Sequence, residues 1–164
     1  MMHGMLSSDW AGLVTLVGDA LDLRRSLVLG LIERAADALQ GRSLVRVRQR
    51  LADAWACRHD PVAFAALDVR VIPGVLEAAD MHASLWLINS MQEAYVGVMS
   101  TVMASASVPG TYLEANLAIM DALEAGDGER ARALQAEYLQ QVDERILQAL
   151  PPDVRRLIRK RMQR

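Results

Sequence analysis

Apolar residues recur every three or four positions along almost the whole chain, which is the spacing of one face of an α-helix. Turn signals interrupt this pattern at Gly41, Pro109-Gly110, Gly126 and Pro151-Pro152. No segment shows the alternation of apolar and polar residues that is typical of a β-strand. The pattern therefore predicts an all-α fold, an antiparallel bundle of about seven helices.

Gly41 is expected to end the first long helix, and Asp60-Pro61 to begin a later one. Pro73-Gly74 lies inside that later helix, where proline removes a backbone donor, so we expect a kink or break at this point. Whether this break opens a cavity or only bends its wall stays open. The predicted segments are a short lead-in over 9–18 and helices over 20–39, 44–57, 60–79, 82–106, 111–125, 127–149 and 153–163.

These segments divide the chain into three predicted parts. Residues 1–19 form a lead-in and linker remnant, residues 20–149 form the helical bundle, and residues 150–164 form a basic C-terminal helix. Residues 154–164 hold six Arg and Lys residues and one aliphatic stripe. The stripe favours a helix that docks on the bundle with a solvated basic face over one that contacts DNA phosphates.

Composition narrows the class of protein. The chain has 164 residues, of which 52% are hydrophobic, and a net charge of −2, which provides no general attraction to nucleic acid. Cys57 is the only cysteine, which excludes an internal disulfide and a cysteine-based zinc site. No apolar run is long enough to predict a membrane span, and Met1–Leu6 lacks the pattern of a secretory signal. A cytoplasmic protein with no membrane partner is expected.

Two helical segments about fifty residues apart carry the most specific signal. Residues 64–72 begin Phe-Ala-Ala-Leu-Asp, and residues 115–127 read Ala-Asn-Leu-Ala-Ile-Met-Asp-Ala-Leu-Glu-Ala-Gly-Asp. With Asp22-Leu23-Arg24-Arg25 before them and a helix over 129–139 after them, they resemble the FCD domain of GntR-type transcription regulators of the FadR subfamily. This resemblance implies a helical effector-binding domain that forms a homodimer and acts on DNA only through a winged-helix domain that is not in this chain.

The resemblance also bears on metal binding. Metal-containing members place an aspartate and three histidines at the positions that correspond to Asp68, Ile72, Asn116 and Tyr138. Only Asp68 is a good ligand here, because an isoleucine cannot coordinate and a neutral amide or phenol binds zinc poorly. We therefore predict that the family metal site is lost and that no cofactor is bound. This loss resembles the acyl-CoA-responsive branch, which implies a carboxylate or acyl-CoA effector.

Six residues are candidates for binding the effector: Arg24, Asp68, Ile72, Asn89, Asn116 and Tyr138. Asp68 is either a polar anchor in a cavity or an ordinary hydrogen-bonded aspartate. Arg24 could pair with Asp68 or with an anionic ligand, since guanidinium binds a carboxylate through two parallel bonds, or it could belong to a solvated face. Asn116 and Tyr138 either line the same cavity or are satisfied core residues. Asn89 could bind a ligand or a backbone carbonyl, and we favour the structural role.

The leading hypothesis is a non-catalytic ligand-sensing and dimerisation domain of a GntR/FadR-type regulator. The alternative is a ligand-free structural dimerisation module whose cavity has become filled. An enzyme is not predicted, because the sequence offers no Ser-His-Asp or Cys-His arrangement, phosphate-binding loop or set of metal ligands. The start at Met1 fits either a trimmed chain or a natural sensor-only protein, and this choice stays open.

Overall fold

The computed structural model describes residues 5–39, 41–103 and 107–162. Eight helices follow one another in this described part, which contains no strand, so the predicted all-α bundle is confirmed. No helix among these residues is long and apolar enough to cross a membrane. The helices are α1 (Met5–Leu39), α2 (Val45–Ala56), α3 (Pro61–Asp68), α4 (Val71–Ala78), α5 (His82–Met103), α6 (Tyr112–Glu124), α7 (Gly128–Ala149) and α8 (Pro152–Met162).

The first helix is longer than the sequence pattern predicted. The prediction of a separate lead-in over 9–18 was wrong, because α1 continues without interruption from Met5 to Leu39. Val14, Val17 and Leu21 are all buried, and their spacing continues one apolar stripe across the predicted boundary. Residues 1–4 of the predicted lead-in and residues 104–106 of the predicted 82–106 helix lie outside the described residues.

The predicted 60–79 helix consists of two helices. The break falls at residues 69–70, between α3 and α4, and not at Pro73 as predicted. Pro73 is the third residue of α4, where a backbone N–H has no partner within the helix, so its missing donor costs little there. The side chain of Gln92 on α5 donates a hydrogen bond of 2.7 Å to the carbonyl of Val69 and so satisfies a backbone group at the break.

The predicted stop and start signals are confirmed at two places. Gly41 follows α1 with a φ of 77°, in the left-handed region that favours glycine. Asp60 caps α3, since its carboxylate accepts hydrogen bonds of 3.1 Å from the backbone N–H groups of Val62 and Ala63. Local chemistry therefore sets these helix ends, independently of tertiary packing.

Two groups of buried side chains hold the helices together. The larger group joins α1, α2, α3, α4, α6 and α7 and includes Leu51, Val75, Ile119 and Leu123, none of which is exposed. The smaller group joins the first half of α1 to the end of α7 and to α8. It consists of Val14, Val17, Leu21, Ile146, Leu147, Val154 and Ile158. Residues 14–17 and α8, which the sequence assigned to the lead-in and to the C-terminal part, therefore belong to one packed group.

The N-terminus of α7 lies unusually close to α1. A Cβ atom added at Gly128 would lie 2.8 Å from the carbonyl oxygen of Glu33 and 3.5 Å from the Cβ of Ala36. Because both neighbours belong to a helix, neither can move aside cheaply. Gly128 is therefore required by the close packing of these two helices.

We predict that Gly128→Ala lowers the free energy of unfolding by about 1–3 kcal/mol, because the added methyl group overpacks this contact. The matched control is Gly30→Ala on α1, where an added Cβ meets no atom within 4 Å. That change should raise the free energy of unfolding by about 0.5–1 kcal/mol, because it removes a helical glycine. Urea unfolding of the three proteins measures both effects, and equal stability of the Gly128→Ala and wild-type proteins would contradict the packing argument.

Candidate functional site

A partly buried hydrogen bond joins α6 to α3. Tyr112, the first residue of α6, is completely buried and donates its hydroxyl proton to Oδ1 of Asp68 over 2.8 Å. Asp68 is the last residue of α3, where the helix dipole disfavours a negative charge. The phenol therefore supplies a local hydrogen bond to a carboxyl group in an unfavourable position.

Burial raises the pKa of the Asp68 carboxyl above its ordinary value of 3.8, since a charged carboxylate loses its hydration there. The hydrogen bond from Tyr112 and the positive charge of Arg24 oppose this shift but do not cancel it. Burial likewise raises the pKa of the Tyr112 hydroxyl, and the Asp68 charge raises it further. Tyr112 is therefore a neutral donor at physiological pH.

Asn116 and Tyr138 lie beside this pair. Asn116 is one turn beyond Tyr112 on α6, and its Nδ2 atom donates a hydrogen bond of 2.8 Å to the Tyr112 carbonyl. Its amide also acts on Tyr138 of α7, where it lowers the pKa of the hydroxyl group. Burial is the main cause that raises the pKa of Tyr138, followed by the charge of Asp68. These two residues are therefore buried, neutral hydrogen-bonding groups.

Arg24 of α1 forms an ion pair with Oδ1 of Asp143 on α7. The two side chains are only 14% and 6% exposed. The second oxygen of Asp143, Oδ2, is buried without a hydrogen-bond partner among the described residues. Burial raises the pKa of Asp143, while the charges of Arg24 and Arg25 lower it and that of Asp22 raises it. This is a desolvated pair in which the carboxylate is only partly satisfied.

Aromatic rings surround Tyr112. The ring of Trp55 stacks on it at 6.2 Å between centroids, and Phe64 meets it edge to face at 5.0 Å. Tyr138 forms a second edge-to-face contact at 6.2 Å. These arrangements are the favourable ones for aromatic pairs, and they fix the direction of the Tyr112 hydroxyl group.

Four of the six predicted residues, Arg24, Asp68, Asn116 and Tyr138, belong to one buried cluster. Asp68 accepts the Tyr112 hydrogen bond. The positive charge of Arg24 lowers the pKa of Asp68 and the pKa of Tyr138. We call these four residues, together with Tyr112 and Asp143, the polar cluster.

The other two predicted residues are not members of the polar cluster. Ile72 is half-buried on α4 and packs against the larger apolar core. Asn89 is exposed on α5, outside the polar cluster. The roles that the sequence suggested for them stay predictions.

Sequence reasoning missed two members of the polar cluster, Tyr112 and Asp143. Tyr112 could have been found, because it precedes Asn116 by four residues and so shares its helix face. Asp143 also carried a signal, since it lies on the buried stripe of α7 that contains Leu139, Ile146 and Leu147. Its partner on α1 is 119 residues away, and no local pattern indicated that pairing.

The metal-ligand positions hold no typical set of ligands. Among the described residues, no group of three or more His, Cys, Asp or Glu side chains is arranged to hold a metal ion. His59 and His82 are both exposed. The absence of a bound metal stays a prediction.

A cleft of about 410 Å³ lies on the basic helix α8, lined by Pro152, Arg155, Arg156, Arg159 and Lys160. Arg155 donates hydrogen bonds to the carbonyls of Leu147 and Leu150, at 2.9 and 3.1 Å, and so caps the end of α7. Arg159 is paired with Glu144 of α7. These contacts and the burial of the aliphatic stripe indicate that α8 docks with a solvated basic face, the interpretation that the sequence favoured.

The FCD domain family matches residues 19–141, about three quarters of the chain. The chain therefore belongs to this family, the C-terminal effector-binding domains of GntR-family regulators. No curated protein and no solved structure matches the chain. The resemblance noted in the sequence is confirmed at the level of the domain, and the match ends at residue 141, short of the predicted bundle end at 149.

We predict that the stability of the protein depends on pH through Asp68. Because the pKa of this carboxyl is raised in the folded state, the folded protein binds the proton more tightly than the unfolded chain does. Relative to Asp68→Asn, the wild type should therefore lose stability as the pH rises from the ordinary pKa of 3.8 through the raised pKa. Above the raised pKa, the difference in stability between the two proteins should stay constant.

Urea unfolding of both proteins between about pH 4 and pH 8 measures this difference. The amide oxygen that Asp68→Asn introduces can still accept the Tyr112 hydrogen bond, so the geometry is kept. Glu114→Gln removes an exposed carboxylate from α6 and serves as the control for a change of net charge. Parallel stability curves for the wild type and Asp68→Asn would show that Asp68 does not titrate with a raised pKa.

Proposed function

We propose that this chain is the ligand-sensing and dimerisation domain of a GntR/FadR-type transcription regulator. A small acidic or fatty-acyl effector binds at the polar cluster and controls DNA binding by a winged-helix domain outside these 164 residues. The observation that supports this proposal is the meeting of Arg24, Asp68, Asn116 and Tyr138 inside the family domain, from three different helices and the end of a fourth.

The chemistry of these residues suits an acidic head group. The Arg24 guanidinium is always charged and can donate two parallel hydrogen bonds to a carboxylate or phosphate. Asn116 and Tyr138 add neutral hydrogen-bonding groups next to it. Asp68 is held by Tyr112, so its carboxyl group occupies one side of the cluster and directs the head group toward Arg24. The apolar core around the cluster would receive an acyl chain.

The proposed site works without a metal. Asp68 is the one carboxylate at the four family ligand positions, and it is engaged by a phenol hydroxyl instead of a cation. Ile72, Asn116 and Tyr138 offer no strong metal ligand. Hydrogen bonds from the side chains themselves therefore take over the organising role that a metal ion has in other members.

The proposal includes a cytoplasmic homodimer that binds no membrane. Its support is the exposed apolar surface of α5, where Trp86 and Leu87 are 72% and 39% exposed in the single chain. Large exposed apolar residues of this kind are typical of subunit contacts. An effector that binds one arrangement of the dimer more tightly would change the spacing of the attached DNA-binding domains. Paired half-sites in operators are read in this way.

A structural dimerisation module is the second candidate function. Two observations favour it: large aromatic rings are packed around Tyr112, and Arg24 already has a carboxylate partner in Asp143. In that case the cavity is filled by side chains and the domain only joins two subunits. We propose no catalytic role, and turnover of a metabolite that disappears in Asp68→Ala would overturn this view.

Thermal unfolding with a panel of carboxylates and acyl-CoA thioesters distinguishes the two candidates. We predict that at least one member raises the Tm, by roughly 5–10 °C at about one hundred times its Kd, because it binds only the folded state. Arg24→Gln should abolish this shift. Arg34→Gln, which removes an exposed arginine from the same helix, should leave it unchanged.

The structural module makes the opposite prediction for this panel. If no compound shifts the Tm of the wild type, the sensor proposal fails and the filled-cavity candidate takes its place. If Arg24→Gln and Arg34→Gln respond like the wild type to the same compound, the effector binds away from the polar cluster.

A further inference from the structure

The ion pair between Arg24 and Asp143 has a consequence for effector binding, and the inference drawn from it rests on the proposed function. Arg24 is the cation that an acidic effector would need. Its Nη2 atom is already in contact with the Asp143 carboxylate, and both side chains are almost completely removed from water. An acidic effector therefore meets an arginine whose anion position is occupied.

The charges in the polar cluster make simple addition of an anion unfavourable. Arg24 brings one positive charge, and Asp68 and Asp143 bring two carboxyl groups. A third carboxylate would add negative charge to a desolvated region in which the charges of Arg24 and Arg25 already act on Asp143. An acidic effector therefore binds well only if the carboxyl group of Asp68 or that of Asp143 moves away from Arg24.

Asp143 is the one that can be displaced. Asp68 is fixed by the hydroxyl of Tyr112, which is itself completely buried among aromatic rings. Asp143 has no comparable support, since Oδ2 is buried without a hydrogen-bond partner among the described residues. It lies on α7, two residues beyond the end of the region that matches the family.

We propose that Asp143 is a built-in competitor for the acidic head group of the effector. In the ligand-free domain it occupies the Arg24 guanidinium, and the effector binds by replacing it. Only head groups that bind Arg24 more tightly than the Asp143 carboxylate does can therefore replace it. Asp143 thus lowers the affinity for weakly binding acids and makes the site selective.

The replacement also connects binding to the packing of the bundle. Arg24 belongs to α1 and Asp143 to α7, so their ion pair connects these two helices. Arg25 makes a second contact between them, a hydrogen bond of 3.4 Å to the carbonyl of Ala136 on α7. When the effector replaces Asp143, the ion pair is lost and only the weaker contact remains. The effector therefore binds more tightly to the arrangement of α1 and α7 in which the ion pair is open than to the one in which it is closed.

The test measures the binding of succinate and octanoate by isothermal titration calorimetry, each beside the uncharged amide of the same carbon skeleton. The proteins are the wild type, Asp143→Asn and, as the control, Glu144→Gln, which removes the neighbouring carboxylate that is paired with Arg159. Asp143→Ser is a second variant in case Asp143→Asn does not fold. Circular dichroism and Tm establish folding of every variant.

We expect Asp143→Asn to bind the carboxylate about tenfold more tightly or better, because the competing charge is gone. Binding of the matching amide should be unchanged, and Glu144→Gln should behave like the wild type. Equal carboxylate affinity of Asp143→Asn and the wild type would overturn the competitor and leave the proposed function intact. Tighter binding of both acid and amide would also overturn it, since that result indicates an enlarged cavity. If no variant binds either acid, the acidic-effector proposal itself fails.

Discussion

The hydroxyl group of Tyr112 reaches Asp68 from a completely buried position at the start of α6, and the geometry of the polar cluster depends on this hydrogen bond. It holds a carboxyl group at the end of α3 against both the helix dipole and the loss of hydration. Trp55 and Phe64 fix the ring that makes it, and Asn116 binds the carbonyl of the same tyrosine. A single residue thus connects the aromatic core to the charged part of the domain.

The polar cluster contains two carboxylates in different states. Asp68 is supported by a rigid neighbour, whereas Asp143 is held by its ion pair with Arg24 and has one oxygen without a hydrogen bond among the described residues. Buried ion pairs contribute little net stability when their geometry leaves a group unsatisfied, because desolvation opposes the attraction. A ligand can therefore replace the carboxylate of such a pair at little net cost in stability. This difference connects the two proposals, since the fixed carboxylate shapes the site and the other one is open to replacement.

Much of the fold followed from the sequence because local rules determine it. Helical spacing, the cap at Asp60 and the glycine at position 41 each act within a few residues, and the structure agrees with them. The break between α3 and α4 was misplaced because Pro73 was judged without knowing where its helix begins. The continuity of α1 was missed, although an apolar stripe of Val14, Val17 and Leu21 crosses the predicted boundary.

The candidate site could be predicted only in part, for a similar physical reason. Asp68, Asn116 and Tyr138 were found through family positions, and Arg24 through its chemistry and its place in the opening helix. Asp143 pairs with Arg24 across 119 residues, so only the packing of α1 on α7 brings them together. Asn89 is exposed on α5, and the role suggested for it stays a prediction.

Native mass spectrometry of the purified protein, followed by the denatured mass, tests the central claim most directly. A sensor of the proposed kind appears as a dimer that carries a non-covalent organic adduct, which is lost on denaturation and whose mass identifies the class of effector. A metal-sized adduct would contradict the metal-free site. An empty dimer to which neither acyl-CoA nor carboxylates add would contradict effector binding at the polar cluster and leave a structural dimerisation module.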